Sequence, residues 1–513
     1  MECSRASGIL LHPTSLPGPF GIGDLGAGAS RFVRFLQDSG QRVWQMLPLG
    51  PTGYGNSPYQ TYSAFAGNPL LLSLEKLRED DLLSASDLAD VPAFPPHRID
   101  YDAVRDFKRR LQWKAFETFR CTATPPQRDE LAAFTQRQAD WLDDYTLFMA
   151  LKEAHSGASW FEWGRDIALR EPTALAGWRK KLAPHVQFHA FLQYQFFRQW
   201  QTLKAECARR GIQLFGDVPI FVAHDSADVW AHPELFSLDQ AGKPTVVAGV
   251  PPDYFSRTGQ RWGNPLYRWE VMAASGYAWW IQRLRTMREM VDIIRLDHFR
   301  GFEAYWEVPA ADDTAVNGRW VKGPGAAFFE VLRGALGDLP IVAEDLGLIT
   351  PEVHALREHL GLPGMRVLQF GFGGDPCTNE HCPHNHVRDC VVYTGTHDNN
   401  TSVGWLGEVE QPESTSSLKE IQAERAMALK YLASDGTRIN WDMIRLALAS
   451  VAKLAMIPMQ DVLGLGQGAR MNYPGRAEGN WEWRYATDML TDELGGRLRE
   501  LTELYGSAPL ESK

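Results

Sequence analysis

Eight short apolar runs, most of them separated by stretches of helical period, limit the fold of this chain more than any other feature. They are Gly8–His12, Arg42–Leu49, IQLFGDVPIF from Ile212, DIIRLD from Asp292, PIVAED from Pro340, MRVLQFGF from Met365, CVVYTGTHD from Cys390 and KLAMIPMQD from Lys453. Short apolar runs alternating with helices read as buried parallel strands. Eight such units close naturally into a barrel. The expected fold class is α/β, a (β/α)8 TIM barrel with helical and loop insertions, and residues 1–513 form a single catalytic barrel. Residues 55–187, helical in period and interrupted by proline clusters, read as an insertion between the second and third barrel strands. Residues 223–275, rich in loop-forming residues, read as an insertion between the third and fourth that includes an active-site lid.

Composition excludes several function classes. The net charge of −11 leaves no electrostatic footprint for nucleic acid or an anionic membrane, and no run reaches the length of a membrane span. Neither partner is expected. The six cysteines are sparse for 513 residues and the N-terminus lacks a signal-peptide core, which together fit a cytoplasmic protein. Gly21, Gly23 and Gly26 have dinucleotide-binding spacing. They follow their strand too distantly, and no acidic residue ends the next strand, so a nicotinamide site is rejected.

The chemistry concentrates at strand ends. In the run VDIIRLDHFRG from Val291, Ile293, Arg295 and Asp297 share one strand face, while Ile294, Leu296 and His298 take the other. A guanidinium on an apolar strand needs anionic partners. The pair is either a structural ion pair or a device that holds Asp297 ionised as a nucleophile. Asp217, Glu344 and Asp398 also close apolar runs, and barrel active sites lie at the C-terminal strand ends. Several carboxylates around one mouth suit glycosyl transfer, which needs one ionised carboxylate and one that keeps its proton. Asp297 fits the first role. Glu344, with no basic neighbour in sequence, fits the second.

The motifs HPTSLPGPFGIGDLG, GNSPYQ, GDVPIFVAHDSADVWAHP, GVPPDYFSRTGQRWGNPLY, RLDHFRG, AEDLG, YTGTHDN and RMNYPG run in register from about residue 8 to 484. Together they resemble the 4-α-glucanotransferases of glycoside hydrolase family 77, the bacterial amylomaltases or disproportionating enzymes. The resemblance implies a retaining transfer of α-1,4-glucan segments to glucose or maltooligosaccharide acceptors, without cofactor. It also implies Asp297 as nucleophile, Glu344 as acid/base and Asp398 as transition-state stabiliser. Asp217, Arg295 and His397 would surround the sugar being cleaved, and Ser57, Tyr59, Tyr254, Gln260, Trp262 and Asn472 resemble glucan-contacting positions. A plain α-glucan hydrolase would share the carboxylates, and a non-catalytic glucan-binding protein would share the aromatic loops.

One segment stands apart. Cys377, His381, Cys382, His384, His386 and Cys390 crowd together in a way that suggests zinc, yet their spacing is not that of a zinc finger. No metal is expected there.

Overall fold

Each of the eight apolar runs contributes one strand in the computed structural model, which describes residues 5–252, 256–407, 417–476 and 478–507. In chain order the strands are β1 (Ala6–Leu10), β2 (Val43–Gln45), β3 (Gln213–Pro219), β4 (Val246–Val250), β5 (Gln260–Pro265), β6 (Ile293–Asp297), β7 (Ala304–Pro309), β8 (Arg319–Lys322), β9 (Ile341–Ala343), β10 (Gly364–Val367), β11 (Cys390–Tyr393) and β12 (Leu454–Pro458). Eight of them pair in parallel in the order β10-β11-β12-β1-β2-β3-β6-β9. The sheet curls until its edge strands meet, and the Ala343 N–H donates to the Pro363 carbonyl at 2.9 Å. The fold is a (β/α)8 barrel with one seam, between β9 and β10.

Side chains alternate across each strand. Val43, Phe215, Val342, Met365, Val391 and Met456 point into the barrel and form one buried cluster. Trp44, Leu214, Ile294 and Val392 belong instead to the larger cluster that contains Phe32, Leu284 and Phe328 of the surrounding helices. Each such side chain, once fully buried, contributes roughly 1.5–3 kcal/mol. Going up a strand, the inward series changes from apolar to polar: Phe215 gives way to Asp217, Ile293 to Arg295 and Asp297, and Val342 to Glu344. The barrel floor is oily and its mouth is charged.

Four further strands make a separate antiparallel sheet in the order β5-β4-β7-β8. Gly249 interrupts β4, Gly263 and Pro265 interrupt β5, and β4 pairs with β7 more than fifty residues away. Local pattern therefore reads as loop where long-range pairing makes strand. Between β2 and β3 the chain is mainly helical, with helices Tyr101–Thr122, Pro125–Arg137, Ala139–Ala154 and Pro172–Lys181 leading into Ala183–Arg209. Two glutamines of that last helix fasten the segment after β2: Gln193 exchanges two 2.8 Å hydrogen bonds with the Gly67 backbone, and Gln199 does the same with Ser73 at 2.8 and 3.2 Å. These bonds anchor the far end of the loop that carries Ser57 and Tyr59 to the mouth.

Candidate active site

The site is built on one shared cation. Asp217 and Arg295 are register partners on β3 and β6, so both project into the mouth at the same level. Arg295 Nη1 lies 2.7 Å from Asp217 Oδ2 and 2.8 Å from Asp297 Oδ1, and the Tyr59 hydroxyl donates to Asp217 Oδ2 at 2.7 Å. Asp217 and Arg295 are almost fully buried, whereas the Asp297 side chain keeps 24% of its surface open to the mouth.

Glu344 follows directly on β9, where Leu296 of β6 pairs with Ala343. Asp297 and Glu344 are thus the next residues on two adjacent strands, and parallel neighbours lie about 4.8 Å apart. The Glu344 carboxylate accepts the His298 N–H at Oε2 and the Leu346 N–H at Oε1, both at 2.8 Å. His298 makes this possible by leaving strand geometry, with φ of 51° and ψ of 48°. Simple alternation turns its ring away from Asp297. The left-handed backbone instead sets the ring edge-on to Trp262 at 4.8 Å, with a buried Nε2 that has no hydrogen-bond partner among the described residues.

Burial dominates the Asp297 carboxyl; Arg295 opposes it, while Asp217, Glu344 and Asp398 reinforce it, and the group is pushed up to about 8. Glu344 is also pushed above the usual carboxylate range by burial, against Arg295 and its two backbone donors. Arg295 thus works against burial and three carboxylates with one Nη1 that serves both Asp217 and Asp297. Asp297 and Glu344 titrate as a pair and keep one proton through neutral pH. Of the two arrangements, the one with charge on Asp297 places unlike charges 2.8 Å apart, and Coulomb attraction favours it. Its proton then sits on Glu344.

A stability consequence follows from the sign of that shift. The Asp297–Glu344 pair as a whole is pushed above the ordinary carboxylate range in the folded protein, so the folded protein binds an extra proton and its stability falls as pH rises above that ordinary range. Asp297→Asn leaves Glu344 as the one titrating carboxyl of the pair and removes the Asp297 share of this penalty. Its melting temperature is expected to gain on the parent progressively from pH 5 to 8; a difference that stays constant with pH contradicts the shift.

Asp398 is held from behind by Asn472 Nδ2, which donates to Oδ1 at 2.6 Å, and by Arg470, which donates to the Asp398 carbonyl at 2.6 Å. His397 Nε2 lies 3.3 Å from Asp398 Oδ2. The His397 ring stacks on Tyr59 at 5.2 Å, and Trp481 packs against both rings. Ser57 turns inward on its own loop, with Oγ accepting the Tyr59 N–H at 3.2 Å. Gln260 accepts from Trp262 Nε1 at 3.1 Å. Tyr254 lies outside the described residues. The structure thus joins Tyr59, Asp217, Arg295, Asp297, Glu344, His397, Asp398 and Asn472 through contacts at one mouth. His298, Trp481 and Arg470 are additional neighbours. The signal for His298 was its place beside Asp297 in RLDHFRG, and the signal for Arg470 its place in RMNYPG.

Side chains of the Cys377–Cys390 segment are engaged by residues outside it. His384 Nε2 meets the Pro376 carbonyl at 2.8 Å, His386 Nδ1 meets Ser450 Oγ at 2.8 Å, and the Cys382 thiol donates to Gly371 at 2.9 Å. Among the described residues no group of three or more His, Cys, Asp or Glu is placed to hold a metal ion, and no helix is long and apolar enough to cross a membrane.

A pair of carboxyl groups on adjacent strand ends at the C-terminal mouth of a (β/α)8 barrel is an arrangement suited to enzymes that act on glycosidic bonds. Residues 11–490 match the family model described as 4-alpha-glucanotransferase, glycoside hydrolase family 77. The chain is 54% identical over 505 residues to the 4-alpha-glucanotransferase of Synechocystis sp., covering 98% of each chain. It is 53% identical over 511 residues to that of Thermus thermophilus, covering 98% of this chain and 99% of the relative. Amylomaltase from Streptococcus agalactiae in complex with acarbose superposes with a TM-score of 0.93 at 38% identity, covering 98% of this chain and 100% of that one. The chain belongs to the 4-α-glucanotransferase family.

Proposed function

We propose that the protein moves a segment of an α-1,4-glucan to the 4-hydroxyl of glucose or a maltooligosaccharide by a retaining double displacement. The observation that carries this reading is the placement of Asp297 and Glu344 directly after paired residues on β6 and β9, a spacing suited to the about 5–5.5 Å that retention requires. In the first step an Asp297 oxygen attacks the anomeric carbon, the glycosidic C–O bond breaks, and Glu344 gives its proton to the departing oxygen. In the second, Glu344 takes the proton of the acceptor's 4-hydroxyl, the new C–O bond forms, and Asp297 leaves as carboxylate. Asp398, fixed by Asn472 and Arg470, faces the positive charge that develops on the ring. Asp217, Arg295, Tyr59, His397 and the unsatisfied His298 Nε2 hold sugar hydroxyls, and Ser57, Gln260 and Asn472 extend the glucan contacts. The acarbose held by the Streptococcus agalactiae relative supports the same mouth as the carbohydrate site here.

Two carboxylates supply acid, base and nucleophile, so no metal or nucleotide is required. Prolonged chelation is expected to leave the transfer rate unchanged, and a loss restored by zinc would contradict this. The reaction belongs to one catalytic barrel, with residues 55–187 and 223–275 as insertions, in a cytoplasmic protein; the sparse cysteines, all free among the described residues, support that compartment. Within 223–275, the stretch GVPPDYFSRTGQRWG acts as the lid, with Trp262 on β5 facing the glucan, while its Tyr254 lies outside the described residues. The edge-on contact of Trp262 with His298 supports this placement, and an aromatic face recruits a sugar acceptor where water has nothing to stack on. Trp262→Ala is expected to lower transfer several-fold more than hydrolysis. An unchanged ratio of the two rates would remove the lid from the mechanism.

Incubation with pure maltotriose tests the reading as a whole. Transfer yields a ladder of shorter and longer oligosaccharides including glucose. Glucose and maltose alone would mean hydrolysis.

A further inference from the structure

The barrel closes at one place without a strand ladder, and beyond the Ala343–Pro363 backbone bond side chains make the join there. Residues i and i+2 of a strand present their N–H groups to the same side, so Met365 and Val367 of β10 both offer donors to the seam with β9. A neighbouring strand would normally supply carbonyls. Instead, Asp345 Oδ1 accepts the Met365 N–H at 2.6 Å, and His381 Nδ1 accepts the Val367 N–H at 3.1 Å. Asp345 has no exposed side-chain surface, and its Oδ2 faces Arg357 Nε at 3.2 Å and Arg366 Nη1 at 3.4 Å. Arg366 Nη2 in turn pairs with Glu380, the residue before His381. The approach is close enough that a Cβ on Gly364 would lie 2.3 Å from Asp345 Oδ2.

We propose that Asp345 and His381 are positioning residues that close the β9–β10 seam and thereby hold the Glu344 carboxyl in place against Asp297. The link is short. Asp345 sits between Glu344 and Leu346, and the Leu346 N–H is one of the two donors that orient the Glu344 carboxylate, at 2.8 Å. Clamping Asp345 to β10 fixes the peptide that carries this donor. His381 must remain neutral to accept at Nδ1, and burial, with Arg366 and His386, holds its pKa down at about 4. The histidine-rich segment after β10 thus has a task in the barrel wall.

The proposal rests on Glu344 being the acid/base, and its test separates the two ideas. An α-glucosyl fluoride loads the enzyme when Asp297 attacks and the C–F bond breaks; fluoride leaves as an anion and needs no proton. A misplaced acid should therefore slow transfer from maltotriose and spare fluoride release, whereas a generally damaged barrel slows both. Asp345→Asn keeps the size and one acceptor but loses the pairing with Arg357 and Arg366. It is expected to lower kcat on maltotriose about a hundredfold, the effect of a displacement of about 1 Å, with KM little changed and single-turnover fluoride release close to the parent's. His381→Ala should behave likewise, and His381→Asn, which restores an acceptor near the Nδ1 position, should return to parental rates. If Asp345→Asn does not fold, the two His381 variants carry the comparison. Equal slowing with both donors, or parental behaviour of His381→Ala, would overturn the proposal. Glu344→Gln is run alongside: equal slowing there would refute the acid assignment instead.

Discussion

Asp297→Asn is expected to abolish transfer, lowering kcat on maltotriose by about 10⁴-fold or more, as removal of a nucleophile does elsewhere. The substitution is close to isosteric, and its amide oxygen can still accept from Arg295 Nη1, which lies 2.8 Å from the native carboxylate. Substrate binding through Asp217, Tyr59 and His397 is left in place, so KM should change little. What disappears is the covalent step. Without it both half-reactions stop together, because no glycosyl group is held while the first product leaves. A folded Asp297→Asn protein with near-parental kcat would contradict the assignment.

Glu344→Gln is expected to discriminate between donors. On maltotriose, whose leaving oxygen needs a proton, the loss of general acid catalysis should cost about 10²–10⁴-fold in kcat. With an α-glucosyl fluoride the first step should run near the parental rate, and the glycosyl group should then accumulate because deprotonation of the acceptor is slow. The alkaline limb of the pH profile should also disappear, since the burial-raised group no longer titrates. The measurement is the ratio of the two single-turnover rates. A ratio equal to the parent's would place the acid on another residue.

Much of this site was legible in the sequence because barrel strands carry two regular signals at once. Apolar residues of period two mark the floor, and the first carboxylate after each run marks the mouth. Asp217, Asp297 and Glu344 fall one residue pair above Phe215, Arg295 and Val342, a relation that needs no three-dimensional information. Three features were not legible, each for a physical reason. The second sheet depends on the pairing of β4 with β7, more than fifty residues away, and Gly249, Gly263 and Pro265 interrupt β4 and β5, so local pattern does not announce it. His298 departs from strand alternation by a left-handed φ, which no residue pattern announces. The proton balance of Asp297 depends on three neighbouring carboxylates that only the closed barrel assembles. The Cys377–Cys390 segment carried no role in the sequence reading, yet His381 in it serves as a hydrogen-bond partner of β10.

The central claim is a glycosyl ester on Asp297, and mass spectrometry tests it most directly. Glu344→Gln is treated with an α-glucosyl fluoride, quenched in acid, digested and mapped. The account requires a mass increase of one glucosyl residue on the peptide containing Asp297, with α-configured products from the parent enzyme. An adduct on any other residue, or β-configured products from an α-linked donor, would contradict it.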